Sequence, residues 1–242
     1  MQEVRSKAQI AMLNPSIDRT CPDKPLISNF VPLSSALQQS ERWMVKCAAL
    51  LDGVTFLTSD RLRISVSLHH LCVEHHSGIH TLVDHGVYGS AFALYRPQFE
   101  AYVRGAWYNF CATDGQLRKF LNGNDPPRIN AQIAELEDFG GFDGRSLSTM
   151  KAQVWSNLND FTHGGATQVK ARNTRDEVVQ SYKCEHVVGL VSASATFSLL
   201  AGVGIAAAIN DDALAVRLRD GYLAVYETAA QPFHPEQATV SS

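Results

Sequence analysis

The sequence predicts an all-α fold, a single bundle of about seven helices around one long apolar helix. Apolar residues recur every three to four positions through most of the chain, which is the period of an amphipathic helix. The segment from Val187 to Ile209 carries no charged residue, which suits a helix that is buried on all sides. No internal repeat is evident at a period of roughly 20 to 50 residues, so a solenoid is not expected.

The first part of the chain predicts an arm followed by two helices. Residues 1–33 contain four prolines and little periodicity, so they are expected to form an extended or disordered arm. Ser34 or Ser35 can cap a first helix that reaches about Asp52. A second helix should begin near Ser59 and Asp60 and end near Gly86.

Four further helices are expected before residue 166. The first, residues 88–112, contains Pro97, which removes one backbone hydrogen bond and predicts a kink or a new start. Thr113 and Gln116 form a capping box for a short helix. Residues 125 and 126, Asp-Pro, should open the next one, and Ser146 or Ser148 should open a helix that ends at residues 163–165, His-Gly-Gly.

The last part of the chain predicts a loop and two helices. Residues 166–180 alternate polar and basic types and are expected to form a mobile loop. The apolar helix follows over about residues 181–209, and an Asn-Asp-Asp turn at residues 210–212 starts the last helix. The bundle is therefore expected to span residues 34–230, with a frayed tail at residues 231–242.

Charge and cysteine usage limit the possible functions. The net charge of -3 at pH 7 gives no general attraction to nucleic acid, so any contact with RNA must use a local basic surface. The five cysteines are widely spaced without a C-x-x-C pair, which indicates neither a disulfide framework nor a zinc site. No export signal begins the sequence, so a cytoplasmic protein is expected. Serines and glycines dilute the apolar helix, which favours a soluble bundle over a membrane span.

A cluster of histidines suggests a metal-binding alternative. Six of the nine histidines fall between positions 69 and 85. On a helix, His69, His76, His80 and Asp84 would share one stripe, while His75 would point into the apolar face. His76, His80 and Asp84 could ligate zinc, iron or nickel if another helix completed the site. The alternative is a polar helix face without metal.

Two other groups of residues are candidates for a functional site. Arg96, Glu100 and Arg104 follow one another at i, i+4 and i+8, either as a surface ladder or as a partly buried charged site. Asn159, Asp160 and His163 lie at a predicted helix end, where His163 could move protons or could interact with the helix terminus.

These motifs resemble those of a known family of proteins. The residues R-P-x-F-E-x-x-x-R at 96–104, the tryptophan at 107 and N-D-x-x-H-G-G at 159–165 resemble an uncharacterised group of bacterial helical proteins, which implies a soluble all-helical bundle. The paired Arg and His residues are also similar, at the level of fold class, to the HEPN superfamily of helical ribonucleases and toxins. In that superfamily the Arg precedes the His on one helix by about four to six residues. Arg63 and His69 have that spacing, whereas no Arg precedes His163 at that distance.

Three hypotheses follow from these patterns. The first is a HEPN-like, metal-independent ribonuclease or toxin-type protein without a cofactor, which is expected to bind RNA through a local basic surface and to form a homodimer. In it His163 acts as general acid or base, Arg96 or Arg104 stabilises phosphate charge, Glu100 orients the arginines, and Asn159 and Asp160 position His163. The second is a structural or regulatory bundle without catalysis. The third is the metal-binding bundle centred on His76 and His80.

Overall fold

The all-α prediction is confirmed by the computed structural model, which describes residues 9–10, 31–140 and 145–227, without the side chains of residues 9, 10, 153, 154 and 156–159. Over these ranges the chain forms nine helices and one short parallel strand pair, against the seven or so helices expected. The elements in chain order are β1 (Gln9–Ile10), α1 (Leu33–Leu51), α2 (Asp60–Asp84), α3 (Tyr88–Phe110), α4 (Asp114–Leu121), α5 (Ile129–Phe139), α6 (Ser146–His163), α7 (Ala166–Lys170), β2 (Glu177–Val178), α8 (Cys184–Ala208) and α9 (Asp212–Tyr226). Most of the predicted arm and all of the predicted tail lie outside the described residues.

Helix α8 lies at the centre of the bundle, as the uncharged segment from Val187 to Ile209 predicts. It packs against α1, α2, α3 and α9. The small residues spaced four apart, Ser194, Ser198, Gly202 and Ala206, are all buried, which lets neighbouring helices approach closely. A Cβ atom at Gly202 would lie 3.3 Å from the Leu218 side chain of α9. The small-residue stripe is therefore a packing surface.

Helix α8 is also long and apolar enough to cross a membrane by length and composition, the one such helix in the described part of the chain. Half of its most apolar window is buried against other helices. Burial of this kind is expected of a central helix in a bundle, where apolar residues occur on every face.

The histidines of α2 face the opposite way from the sequence prediction. His69 and His76 are each 1% exposed and lie in the core with Cys72 and Ile79, whereas His75 is half-buried at the surface. The prediction that His75 points into the apolar face is therefore wrong. From Ser65 to Val83 the buried residues of α2 recur in alternating steps of four and three positions. This row of residues, which includes polar side chains, is the face of α2 that packs on α3 and α8.

Serine hydroxyls satisfy the buried histidine His76. Its Nδ1 lies 3.0 Å from Ser194 Oγ, and its Nε2 lies 3.3 Å from Ser40 Oγ, which is also 3.0 Å from Nδ1 of His80. Burial lowers the pKa of His76 to about 3 and that of His69 to about 4. Both rings are therefore neutral at pH 7 and serve as core residues.

Several local signals act as the sequence predicts. The Ser59 side chain accepts a hydrogen bond from the Leu62 amide, and Asp211 accepts one from the Leu214 amide, so both cap their helices. The capping box of Thr113 and Gln116 is complete. These signals need only neighbouring residues, which explains why the sequence reveals them.

Three segments differ from the prediction. Helix α3 does not restart at Pro97 but continues through it as one element, because a proline costs one hydrogen bond that the packing of a long buried helix can offset. The kink expected as the alternative is not tested. Helix α5 begins at Ile129, after an irregular segment that contains Asp125, Pro126 and Pro127, and not at Asp125. The segment expected as a loop contains α7 and β2, and β2 pairs in parallel with β1.

One cysteine departs from the expectation for the thiols. Cys184, the first residue of α8, is disulfide-bonded, although the cysteine spacing indicates no disulfide framework. Cys47, Cys72 and Cys111 are free thiols. Burial raises the pKa of the Cys47 thiol to about 11, so this thiol is unreactive at neutral pH.

Candidate functional site

Helices α3 and α6 bring the two candidate rows of residues together. Arg96, Glu100 and Arg104 lie on one face of α3, and His163 is the last residue of α6, which packs against α3. Gly164 ends α6 in the left-handed region with φ of 68°, a conformation that glycine adopts without strain. The helix end thus holds His163 over the charged row of α3.

Glu100 is the centre of the charged row. Its Oε1 accepts a hydrogen bond from Arg96 Nε at 2.8 Å, and its Oε2 accepts one from Arg104 Nη2 at 2.7 Å. The Glu100 side chain is 16% exposed, while the Arg96 and Arg104 side chains are 22% and 37% exposed. The row is therefore partly buried, which is the second of the two alternatives that the sequence allowed.

Arg96 also contacts His163 directly. Its Nη1 lies 3.0 Å from His163 Nε2, across 67 residues of sequence. Since an arginine side chain has only donors, Nε2 must be the acceptor in this contact.

An aromatic residue of α6 lies between two cations of this site. The Arg96 guanidinium carbon is 4.7 Å from the centroid of the Trp155 ring, and the Lys151 ammonium is 4.2 Å from it. Cation–π contacts of this length hold the side chains in place. Burial and the neighbouring Arg96 lower the pKa of Lys151, so cations accumulate at this point of a chain whose net charge is negative.

The charged row of α3 and His163 line a pocket of about 310 Å³ between α2, α3 and α6. Its described lining combines charged or polar groups with an apolar wall. We call it the Arg–His pocket and define it by Leu68, Leu71, His75, Arg96, Pro97, Glu100, Ala101, Arg104, Thr162 and His163. The arrangement can bind an anion through its arginines and can move protons through its two histidines.

Asp160 has a local structural role. Its Oδ2 accepts hydrogen bonds from the Thr167 amide at 2.9 Å and from the Thr167 hydroxyl at 2.6 Å. These bonds lower the pKa of Asp160. A Cβ atom on Gly165 would collide with the Asp160 carboxylate, so the second glycine of the motif makes room for this turn. Asp160 thus positions the chain after His163 and is not among the residues that line the pocket.

The side chain of Asn159 lies outside the described residues, so its predicted role beside His163 is not tested.

The metal hypothesis finds no support in the geometry. In the part of the chain that the structure describes, no three or more His, Cys, Asp or Glu side chains are grouped so as to hold a metal ion. His76 uses both ring nitrogens on serine hydroxyls, and His80 shares one of these serines. Ligation by His76 would break a buried hydrogen bond. We conclude that His76, His80 and Asp84 form a polar core edge.

The Arg63 and His69 pair does not form a site either. His69 is 1% exposed and packs against Gly105 and Gly204, where its ring lies within 3.0 Å of the positions that Cβ atoms would occupy. A substrate cannot reach this ring. The structure therefore favours the pair of Arg96 and His163 over the pair of Arg63 and His69 as a candidate site.

Sequence reasoning missed the contributions of α2 and of Trp155 to this pocket. His75, Leu68 and Leu71 line it from α2, and Trp155 supports Arg96 from α6. If the core face of α2 had been assigned to His69, Cys72 and His76, which are spaced three and four positions apart, His75 would have been predicted to lie outside the core. No sequence signal could have shown which side of α3 it approaches.

Comparison with known proteins identifies a family and no activity. A model described as a family of unknown function, DUF6988, matches residues 69–224, a range that includes the whole Arg–His pocket except Leu68. No curated protein and no solved structure matches the chain. The match agrees with the resemblance to an uncharacterised helical family, while the similarity to HEPN proteins is not supported by it.

Proposed function

The chain belongs to this family of unknown function, and we propose that it uses the Arg–His pocket to cleave RNA without a metal ion. The observation that carries the proposal is the 3.0 Å contact between Arg96 Nη1 and His163 Nε2. It joins a phosphate-binding group and a proton-transfer group at one point of an open pocket. Both groups are needed for phosphodiester cleavage when no metal takes part.

The charges of the pocket suit a phosphate. Among its described lining residues Arg96 and Arg104 are basic, and Glu100 is the acidic one. Glu100 holds both guanidinium groups in fixed positions, and a preorganised donor costs no reorganisation when the anion arrives.

The reaction is an internal transfer of the phosphoryl group. The 2′-oxygen of the ribose bonds to phosphorus, and the bond between phosphorus and the 5′-oxygen breaks. A base takes the proton of the 2′-hydroxyl, and an acid gives a proton to the leaving 5′-oxygen. The products are a 2′,3′-cyclic phosphate and a 5′-hydroxyl. His163 performs one proton transfer once Arg96 turns from Nε2 towards the phosphate.

The test uses the purified full-length protein and a labelled single-stranded RNA, with and without EDTA. We expect cleavage that resists EDTA, leaves cyclic phosphate ends and fails on DNA, which lacks the 2′-hydroxyl. His163→Ala and Arg96→Ala should each lower the rate by about 100-fold or more. The control is His186→Ala, a substitution at an exposed histidine of α8 outside the pocket. Absence of cleavage, or equal rates for wild type and His163→Ala, would overturn the proposal.

A non-catalytic bundle is the second candidate. It is favoured by the way in which Arg96, Glu100 and Arg104 satisfy one another and by the hydrogen bond that occupies His163 Nε2. In that case the row is a stabilising element of the α3 surface. It predicts that substitutions in the row change stability and leave no activity to lose.

The proposal also fixes the expected partners and compartment. RNA is the partner, bound through the local basic surface of Arg96, Arg104 and Lys151, and a homodimer is the assembly that the HEPN-like resemblance implies. Light scattering of the purified protein measures the assembly. The cytoplasm remains the expected compartment, and the disulfide at Cys184 is the observation against it, because the cytoplasm keeps thiols reduced.

A further inference from the structure

His75 lies in the same pocket as His163 but reaches it from another helix. It is a half-buried residue of α2, and it lines the pocket together with Arg96, Glu100, Arg104 and His163. Its neighbours in sequence, Glu74 and His76, do not line the pocket: Glu74 is exposed and His76 is in the core. The packing of α2 on α3 therefore selects this one histidine of the cluster.

Cleavage by internal transfer needs two groups that move protons, one for each oxygen. Arg96 and Arg104 stay protonated at working pH and cannot serve. Each carboxylate oxygen of Glu100 already accepts a hydrogen bond from one of these arginines. The groups of the described lining that remain for proton transfer near neutral pH are His75 and His163.

Resting on the proposed ribonuclease function, we propose that His75 is the proton acceptor of the Arg–His pocket and His163 its proton donor. In the step, the 2′-hydroxyl proton passes to a ring nitrogen of His75 as the 2′-oxygen bonds to phosphorus. The electron pair of the broken bond stays on the 5′-oxygen, which takes a proton from His163. The two histidines then exchange these protons with solvent before the next turnover.

The surroundings of each ring support this division of roles. Burial lowers the pKa of His75, opposed by the charge of Glu74, so the neutral form that accepts a proton is the one favoured at pH 7. His163 is at the carboxyl end of α6, where the helix carbonyl groups stabilise a cation. When the phosphate draws Arg96 away, Nε2 of His163 becomes free to carry the proton that it donates.

Two substrates separate the roles. One is an RNA dinucleotide, and the other is a uridine 3′-phosphate ester of 4-nitrophenol, whose leaving group departs without protonation. We expect His163→Ala to lose about 100-fold or more on the RNA and to recover most of its rate on the nitrophenyl ester. His75→Ala should be slow on both substrates, because attack by the 2′-hydroxyl needs the base in each case.

The pH dependence gives a second readout. The wild type should show a bell-shaped profile of kcat/KM, whose acidic limb reports the deprotonation of the base. His75→Ala should lose that limb. The charge that acts on the pKa of His75 is that of Glu74 on α2. The other titratable or charged groups that line the same pocket are Arg96, Glu100 and Arg104 on α3 and His163 on α6. A purely structural role of His75 would lower the rate at every pH by the same factor.

Folding is controlled with a second substitution and a matched variant. His75→Gln keeps a polar side chain of similar length, and its thermal melt must match that of the wild type. His70→Ala removes an exposed histidine of the same helix that is not part of the pocket, and it should retain wild-type rates.

Each other outcome overturns a defined part of the argument. Wild-type rates in folded His75→Ala and His75→Gln would remove the role of His75 and leave the ribonuclease function standing. Recovery of His75→Ala, and not of His163→Ala, on the nitrophenyl ester would reverse the two roles. No cleavage of either substrate by the wild type would overturn the ribonuclease function and this inference with it.

Discussion

Replacing Glu100 by alanine tests whether the charged row is a partly buried network. The substitution removes the acceptor of two arginine hydrogen bonds, at 2.8 and 2.7 Å. The Arg96 pair is less than a quarter exposed on both sides, and a hydrogen bond to a charged group at such a position contributes about 1.5 to 2 kcal/mol. The Arg104 side chain is 37% exposed, so solvent screening reduces its pair to about 0.5 to 1 kcal/mol.

The expected loss of unfolding free energy is therefore about 2 to 3 kcal/mol, less than the roughly 3 to 5 kcal/mol for a fully buried charge. For a domain of this size that loss corresponds to a decrease in Tm of roughly 4 to 12 °C. The assay is urea unfolding at pH 7, monitored by circular dichroism. High salt should reduce the difference in unfolding free energy between the wild type and Glu100→Ala, because it screens the ion pairs.

A matched substitution gives the baseline for this measurement. Glu185 is 59% exposed, and its nearest basic partners are 3.9 and 4.0 Å away. Glu185→Ala should change the unfolding free energy by less than about 0.5 kcal/mol. If Glu100→Ala is no more destabilising than Glu185→Ala, the row is an exposed ladder, and the reasoning that makes it a preorganised site is refuted.

The remaining predictions concern stability, metal content and solubility. His163→Ala should lower the free energy of unfolding by at most about 2 kcal/mol, because an exposed histidine at a helix end contributes through the helix dipole and one hydrogen bond. A larger loss in urea unfolding would mean that His163 is a structural residue. The folded-state pKa values of His69 and His76, about 4 and about 3, lie below the value of 6.5 for an unfolded chain. Their contribution to stability is therefore complete above pH 6.5 and is lost as the pH falls, by about 2 kcal/mol per histidine at pH 5. Urea midpoints that do not change from pH 7 to pH 5 would contradict the burial of the two rings. Elemental analysis of untagged protein should give substoichiometric zinc and iron, whereas a full equivalent that survives dialysis and is lost in the His76→Ala, His80→Ala variant would restore the metal hypothesis. The protein should fractionate as soluble without detergent, and recovery only from detergent-treated membranes would make α8 a membrane span.

The order of the helices and several of their ends were predictable, since they depend on residues close together in the sequence. Apolar spacing marks each helix, and single side chains such as Ser59, Thr113 and Asp211 cap the chain within one turn. The central position of α8 was also predictable, because a long helical segment without charged residues, such as Val187 to Ile209, is expected to pack against other helices. The start of α5 was misplaced, since the segment with Asp125, Pro126 and Pro127 is irregular and precedes the helix instead of forming its first turn.

The candidate site was only half determined by the sequence. The i, i+4, i+8 spacing fixed the row of Arg96, Glu100 and Arg104, because helix geometry alone brings those side chains together. The contact of this row with His163 joins two residues that are 67 positions apart in the sequence. Whether His75 lines the pocket depends on which face of α2 packs against α3. Both are consequences of side-chain packing between helices, which the sequence pattern of one helix does not contain. The sequence thus determined most of the helices and the charged row of α3, and the tertiary structure alone decided that His75 and His163 share a pocket with this row while His69 and His76 remain in the core.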